Sequence, residues 1–168
     1  MKNIEIKASC PNPDNIHEKL IALNADFIGT DFQIDTYFNV SDGRLKLREG
    51  KIENALIAYD RNDQPGAKQS NFKLYKSEDP DLLKSILSGS LGIKVIVEKK
   101  RKIFYIDNVK FHIDEVSGLG NFIEIEVTDM EDIRNKDEMH EQCSHYMKVL
   151  GVSDEELIPK SYSDLLLD

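Results

Sequence analysis

The chain has 168 residues, of which 40% are hydrophobic and 32% are charged, and these proportions are typical of one soluble globular domain spanning residues 1–168. Its formal net charge of −9 argues against nucleic acid and anionic membranes as partners, because both carry negative charge themselves. Two cysteines are too few for a disulfide framework, and no apolar run is long enough to span a bilayer, so we expect a protein of the reducing cytoplasm.

The first half of the chain has the patterns of several strands and one helix. Residues 3–7 alternate polar and apolar side chains, as a half-buried strand does. A helix is predicted from Asp14, a residue type suited to cap it, to about Asn24. Four later segments rich in β-branched and aromatic residues are separated by turns and by a longer loop at 62–66, and they predict an antiparallel meander at residues 33–40, 44–49, 55–61 and 71–76.

Two helices enclose the second group of predicted strands. The helix at residues 79–91 carries four leucine or isoleucine side chains on one face, and the helix at residues 137–150 ends before Gly151. Between them, strands are predicted at residues 95–101, 102–106, 109–116 and 121–128. The tail at residues 155–167 is predicted to pack as a short helix.

The strand at residues 44–49 contains an unbroken alternation of basic and apolar side chains, from Arg44 to Arg48. Successive side chains of a strand point to opposite faces, so the cations share one face and the leucines the other. The same sorting of the other strands places apolar side chains, including Phe72 and Leu74, on the face that the helices cover. It predicts a charged face made of Glu5, Lys7, Arg44, Lys46, Arg48, Arg61, Lys73, Lys99, Arg101, Asp114, Glu124 and Glu126.

Such a charged face fits either of two architectures. In an open antiparallel sheet it faces water, and alternation alone favours that arrangement. Here, however, Arg and Lys cluster at strand centres, where a wet sheet mixes in Thr, Ser and Gln. About eight strands can close into a barrel, and a lumen lined by cations suits a polyanion such as a nucleoside triphosphate. We therefore predict an α+β fold, a closed antiparallel barrel that forms a charged tunnel, with amphipathic helices outside and with grouped carboxylates that can hold Mg²⁺ or Mn²⁺.

Several motifs in this chain occur in the order expected of one family. They are Glu5-Ile6-Lys7, Gln33-Ile34-Asp35-Thr36-Tyr37-Phe38, Leu45-Lys46-Leu47-Arg48, Lys99-Lys100-Arg101, and the run from His112 to Glu126. With them the chain resembles the CYTH superfamily, the triphosphate tunnel metalloenzymes, from Asn3 to about Leu150. The branch that resembles class IV adenylyl cyclases is the most similar, and the superfamily also includes thiamine triphosphatases and inorganic triphosphatases.

The resemblance implies roles for individual residues. Metal ligands are implied at Glu5, Glu124 and Glu126, with Asp114 as a further candidate and Mg²⁺ or Mn²⁺ as the cation. Contacts to the triphosphate are implied for Lys7, Lys46, Arg48, Arg61, Lys73, Lys99 and Arg101, and the first three are the implied catalytic residues. The family signature begins with a glutamate where this chain has Asn3, so a weaker metal site is expected.

The implied activity is that of a class IV adenylyl cyclase, which converts ATP to cyclic AMP and pyrophosphate. A triphosphatase is the alternative, since both reactions need the same phosphate contacts, and a non-catalytic nucleotide or polyphosphate binding module is a second alternative. A homodimer is expected for cyclases of this type. We interpret His112 as a structural histidine and Glu53 as part of a solvated turn, and we expect Arg44 at the tunnel mouth or in solvent.

Overall fold

A computed structural model describes residues 1–61, 64 and 66–168, apart from the side chain of Arg61. In chain order its elements are β1 (Lys2–Ser9), α1 (Pro13–Ala22), β2 (Asp26–Phe38), β3 (Arg44–Glu49), β4 (Ala55–Arg61), β5 (Lys68–Tyr75), α2 (Pro80–Leu91), β6 (Ile93–Ile106), β7 (Val109–Val116), β8 (Gly120–Asp129), α3 (Lys136–Leu150) and α4 (Tyr162–Leu167), with one turn of 3-10 helix at Asp154–Glu156. None of the helices in these residues is long and apolar enough to cross a membrane.

The strands form a closed antiparallel barrel in the order β1-β5-β4-β3-β2-β6-β7-β8, which confirms the predicted fold class. Every neighbouring pair is antiparallel. Because the first strand of this order, β1, also pairs with the last, β8, the barrel has no open edge. The predicted strands at 95–101 and 102–106 are one strand, β6, because no turn residue separates them. The loop predicted at residues 62–66 lies largely outside the described residues.

The strand β2 begins at Asp26, several residues before its predicted start. Its additional residues pair with the end of β6, and the register shifts between Phe27 and Gly29. Gly29 has a φ of 149°, a conformation that side chains other than glycine rarely adopt. An irregular pairing of this kind hides the period-two pattern, which is why sequence analysis missed this part of the strand.

The apolar core lies outside the barrel, between its wall and the helices. Ile6 of β1 and Ile125 of β8 are buried together with Leu20 of α1 and with Met139 and Cys143 of α3. Full burial of one such side chain contributes about 1.5–3 kcal/mol, so this layer fixes the wall from outside. The interior face of the same strands is left for polar groups.

Candidate functional site

The barrel encloses a cavity of about 730 Å³. Most of the predicted phosphate-binding side chains line it, and three of the four predicted metal ligands do so as well. The members of these two groups are Lys7, Lys46, Arg48, Lys99 and Arg101, together with Glu5, Glu124 and Glu126. Alternation along the strands thus brings together charged residues that are far apart in the chain.

Lys73 does not reach this cavity. It is exposed, whereas its neighbours Phe72 and Leu74 line the cavity wall. The register explains the orientation, since Phe72 pairs with the cavity residue Tyr59 of β4 and shares its side of the sheet. The predictions for Lys73, Phe72 and Leu74 are therefore wrong, because this part of β5 turns its apolar side chains inward. Arg61 lies on β4, but its side chain is outside the described part of the chain.

A buried carboxylate anchors the cations of one wall. Asp35 of β2 accepts hydrogen bonds from Arg48 Nε at 2.9 Å and Nη2 at 2.7 Å, and from Lys99 Nζ at 2.8 Å. Lys46 Nζ lies 3.2 Å from Asp35 Oδ2. Burial opposes ionisation of Asp35, but the charges of these three cations outweigh it and hold its pKa well below the usual range.

Lys99 has an unusual environment because Arg48 and Lys46 contact the same carboxylate, that of Asp35, with which Lys99 pairs. Burial and the nearby charges of Arg101 and Arg48 lower the pKa of Lys99 to about 7, although Asp35 opposes the shift. The side chain also lies under the ring of Tyr162, with Nζ 5.6 Å from the ring centroid. Lys99 can therefore take up or release a proton near neutral pH.

Arg101 is held by a second buried carboxylate. Its Nε and Nη2 atoms each lie 2.7 Å from an oxygen of Asp114, and Nη2 also lies 3.0 Å from Glu124 Oε2. Asp114 accepts a further hydrogen bond of 2.7 Å from the hydroxyl of Tyr162 and is fully buried. It does not line the cavity. In this arrangement Asp114 positions Arg101 and is not available to a metal ion, which corrects the assignment from sequence.

Three carboxylates face the cavity from adjacent strands. Glu5 of β1 is directly opposite Glu126 of β8 in the register, and Glu124 is opposite Lys7. Glu124 lies 3.5 Å from Lys7 Nζ and 3.2 Å from His112 Nδ1. Burial opposes ionisation, but Arg101 and Lys7 hold the pKa of Glu124 well below its usual range. The pKa of Glu126 is lowered as well, since Lys110 and His112 outweigh its burial.

The carboxylate group offers the oxygen ligands that Mg²⁺ and Mn²⁺ prefer. Asn3 lines the cavity beside Glu126, and its Oδ1 atom is buried without a hydrogen-bond partner. Within the described residues no three His, Cys, Asp or Glu side chains are already gathered around one point. The residues present fit a divalent cation in chemistry, and Glu5, Glu124, Glu126 and Asn3, which line one cavity, would be the donors.

Glu53 is the main cavity residue that sequence analysis missed. The turn between β3 and β4 carries it into the cavity, where 17% of its side chain is exposed. Its carboxylate lies 3.4 Å from His112 Nε2 and 3.3 Å from Lys110 Nζ. Burial opposes ionisation of Glu53, but His112, Arg101 and Arg48 lower its pKa. The prediction of a solvated turn is wrong for this residue, and a turn has no periodic pattern that could have revealed it.

His112 is buried and lies between two carboxylates of the cavity, of which Glu124 is its hydrogen-bond partner. Its Nδ1 atom is 3.2 Å from Glu124 and its Nε2 atom is 3.4 Å from Glu53. The ring is 2% exposed but lies in the cavity wall, so it can contact whatever the cavity holds. The structural interpretation made from the sequence stays compatible with these contacts.

The C-terminal tail lies along one end of the cavity. The Ile158 amide donates to the Lys7 carbonyl at 2.8 Å, and Lys7 Nζ stands 3.9 Å from the ring centroid of Tyr162. Arg44 does not line the main cavity and instead pairs with Asp164 of α4 at 2.7 Å. The start of the basic row therefore holds the tail, so Arg44 is not in solvent, and its expected place at the tunnel mouth stays a prediction.

Toward its other end the cavity wall includes a group of apolar side chains, beside the charged Lys76, Glu131 and Arg134. Asn3 pairs with Ser70 in the register, and the cavity wall continues from there along β5 through Phe72 and Leu74. Other apolar members of this part of the wall are Ile52, Ile57, Met130 and Ile133. One cavity therefore combines a cationic region, a carboxylate group and an apolar region.

Comparison with known proteins places this architecture in a family. A relative named "putative adenylate cyclase" from Methanocaldococcus jannaschii is 30% identical over 176 residues, which cover 98% of this chain and 98% of that protein. The solved PH1012 protein of Pyrococcus horikoshii OT3 superposes with a TM-score of 0.85 at 25% identity, covering 97% of this chain and 98% of that one.

A third protein shares the fold at lower similarity. It is a "putative adenylyl cyclase" of Hippeastrum, described as having a dominant triphosphatase activity, with a TM-score of 0.60 and 15% identity over 98% of this chain and 94% of that one. The CYTH domain matches residues 1–162 of the present chain. The chain therefore belongs to the CYTH domain family.

Proposed function

We propose that this protein is a metal-dependent enzyme that converts a nucleoside triphosphate, with ATP as the leading substrate, to its cyclic monophosphate and pyrophosphate. The observation that carries the proposal is the joint enclosure of cations, carboxylates and apolar side chains in one cavity of about 730 Å³. A nucleoside triphosphate has an anionic part and a flat, weakly polar base, which such a divided cavity complements.

The cations can bind the phosphates without further ordering. Arg48 and Arg101 are each fixed by two short hydrogen bonds to a buried carboxylate, Asp35 and Asp114 respectively. The Nη1 atom of each guanidinium takes no part in these hydrogen bonds, and both arginines line the cavity. Such preorganised donors stabilise the charge that develops on the departing pyrophosphate, and loss of one typically costs a factor of about a hundred or more in rate.

The carboxylate group supports the metal requirement. Glu5, Glu124 and Glu126 would hold the Mg²⁺ or Mn²⁺ ions, with Asn3 Oδ1 as a neutral ligand. When bound, such ions lower the pKa of an attacking hydroxyl and neutralise phosphate charge. The Lys7 ammonium, 3.5 Å from Glu124, can contact a phosphate oxygen and the carboxylate together.

The apolar part of the cavity favours a substrate with an organic group. Phe72, Leu74 and Ile57 form a surface against which a nucleobase can pack. Inorganic triphosphate would leave this region filled with water, so it would use only part of the cavity. Cyclisation additionally needs the ribose to be held in place, and this enclosed wall supplies contacts beyond the phosphates.

Two alternatives have specific support. A triphosphatase is favoured by the description of the Hippeastrum relative and by phosphate contacts that hydrolysis and cyclisation share. A non-catalytic binding module is favoured by Asn3, because an uncharged ligand at that position weakens the metal site.

The proposal also retains two expectations from the sequence, a cytoplasmic location and a homodimer. Support for the homodimer comes from large apolar side chains on the outer surface, since Phe32 is 72% exposed, Leu82 56% and Ile86 54%. Analytical ultracentrifugation of the protein tests this part directly, and a monomer at micromolar concentration would contradict it.

Product analysis separates the three functions. The protein is incubated with ATP, thiamine triphosphate or tripolyphosphate, each with Mg²⁺ or Mn²⁺, and the products are resolved by chromatography. Cyclic AMP with pyrophosphate supports the cyclase, release of orthophosphate supports the triphosphatase, and binding without turnover supports the module.

The metal assignment has its own variant and control. Glu126→Gln should abolish metal-dependent turnover, whereas Glu115→Gln, on the outer side of the neighbouring strand β7, should leave it unchanged. Full activity of Glu126→Gln would remove that residue from the metal site.

A further inference from the structure

We propose that Glu53 occupies an anion position in the free protein and that a phosphate group of the substrate takes this position by displacing its carboxylate. The inference rests on the proposed triphosphate function and goes beyond it, since it assigns a competing group inside the site. Glu53 would then help to set the affinity of the cavity for triphosphates.

Two guanidinium groups converge on Glu53. The hydrogen bonds of Arg48 and Arg101 to their buried carboxylates use Nε and Nη2 of each side chain. The remaining Nη1 atoms point to one oxygen, Glu53 Oε1, at distances of 3.6 and 3.5 Å. That oxygen therefore stands where these two arginines can bind an anion together. Arginine pairs of this kind are well suited to phosphate oxygens.

Arg48, Arg101, Lys110 and His112 surround the Glu53 carboxylate and form a cage around it. The other oxygen of Glu53 lies 3.3 Å from Lys110 Nζ and 3.4 Å from His112 Nε2. All four contacts to charged or titratable groups are longer than the 2.7 Å contacts by which Arg48 and Arg101 hold Asp35 and Asp114. The one shorter contact is a hydrogen bond of 2.9 Å that the neutral Gln33 Nε2 donates to Glu53 Oε1, so among the described residues the charged donors hold the carboxylate only at longer range. A tetrahedral phosphate carries more charged oxygens and can approach more of these donors at once.

The β3–β4 turn holds the backbone of Glu53 in place. The buried carboxylate of Asp31 accepts hydrogen bonds from the backbone amides of Lys51 at 2.8 Å and Glu53 at 2.9 Å. A Cβ atom at Gly50 would lie 2.5 Å from Asp31 Oδ2, so this packing requires glycine. The backbone of the turn is therefore anchored, and rotation of the Glu53 side chain alone can clear the cage.

The experiment measures binding of tripolyphosphate by isothermal titration calorimetry, with a chelator present so that no metal contributes. Glu53→Gln removes the competing charge and keeps the shape of the side chain. We therefore expect the dissociation constant of tripolyphosphate from this variant to fall about tenfold, because one repulsive charge is removed. Glu49→Gln is the matched control, because Glu49 ends the preceding strand and pairs with Lys84 at 2.7 Å without lining the cavity. It should bind as the unaltered protein does.

An equal or weaker affinity of Glu53→Gln would overturn the inference, since Glu53 would then help to hold the anion or the arginines in place. If neither the unaltered protein nor Glu49→Gln binds tripolyphosphate or ATP, with or without metal, the proposed function fails and this inference falls with it.

A crystal structure of the unaltered protein with tripolyphosphate gives a readout that does not depend on any variant folding. We expect a phosphate oxygen within about 3 Å of both Nη1 atoms and the Glu53 carboxylate turned away. A phosphate bound elsewhere, with Glu53 still between the two arginines, would overturn the displacement.

Discussion

Replacement of Lys99 by methionine tests whether the positive charges of Lys46, Arg48 and Lys99 exceed what the Asp35 carboxylate can balance. Lys99 Nζ lies 2.8 Å from Asp35, but Arg48 and Lys46 contact the same carboxylate. One buried negative charge therefore faces three positive charges. Burial together with Arg101 and Arg48 lowers the pKa of Lys99 to about 7, and a protonated Lys99 weakens the folded state.

The sign of the pH dependence follows from the number of protons that Lys99 binds in the folded and in the unfolded state. The unfolded chain keeps a lysine proton up to about pH 10, whereas folded Lys99 releases its proton above about pH 7. Between these values the unfolded state binds more protons, so the free energy of unfolding rises with pH. From about pH 7 to about pH 9 this one group should contribute a rise of about 2 kcal/mol.

The assay is urea denaturation of the unaltered protein and of Lys99→Met at several pH values between these limits. The difference between their free energies of unfolding should change by about 2 kcal/mol across the range, since the variant lacks the titrating group. Lys100→Met is the control, because Lys100 is exposed on the same strand. The difference in free energy of unfolding between Lys100→Met and the unaltered protein should stay constant across the pH range. A constant difference for Lys99→Met as well would refute the reasoning and show that Asp35 keeps Lys99 fully protonated.

Three further substitutions test packing in the protein, and the effect of each on stability is measured from its unfolding midpoint in urea. Tyr162→Phe removes the buried hydroxyl that donates to Asp114 at 2.7 Å, and a loss of about 2 kcal/mol is expected, whereas no loss would show that Arg101 alone satisfies the carboxylate. Gly50→Ala should cost about 1–3 kcal/mol, because its Cβ would lie 2.5 Å from an Asp31 oxygen. Gly89→Ala is the same chemical change in open space within α2 and should instead stabilise the protein by about 0.5–1 kcal/mol.

Sequence patterns predicted those parts of the site that lie on regular strands with polar inner faces. Lys46 and Arg48 alternate with leucines, and Glu124 and Glu126 alternate with isoleucines, so the pleat assigns each to a face without ambiguity. The same rule failed for Lys73, because β5 turns apolar residues inward and the hydrophobic face no longer marks the outside. A barrel whose cavity changes from polar to apolar along its length defeats any uniform assignment of faces.

Residues outside regular strands could not be found in this way. Glu53 lies in a turn and Tyr162 in the tail, and neither position has a period that links it to the barrel interior. Their roles depend on tertiary contacts, with Asp31 for the turn and with Asp114 and Lys7 for the tail. These contacts are between residues distant in the chain and become apparent only when the barrel is closed.

The interior charges also bear on why a metal ion would be needed for substrate binding. The cations of the cavity wall already have carboxylate neighbours: Lys7 has Glu124, Arg48 has Asp35, Arg101 has Asp114, and Lys110 has Glu53. A triphosphate adds more negative charge than the surplus of positive charge that Lys46, Arg48 and Lys99 hold beside Asp35. Either divalent cations must enter beside the carboxylates, or a carboxylate must move away from the phosphate position. The second route is the displacement of Glu53, and it would lower the amount of positive charge that the metal ions have to supply.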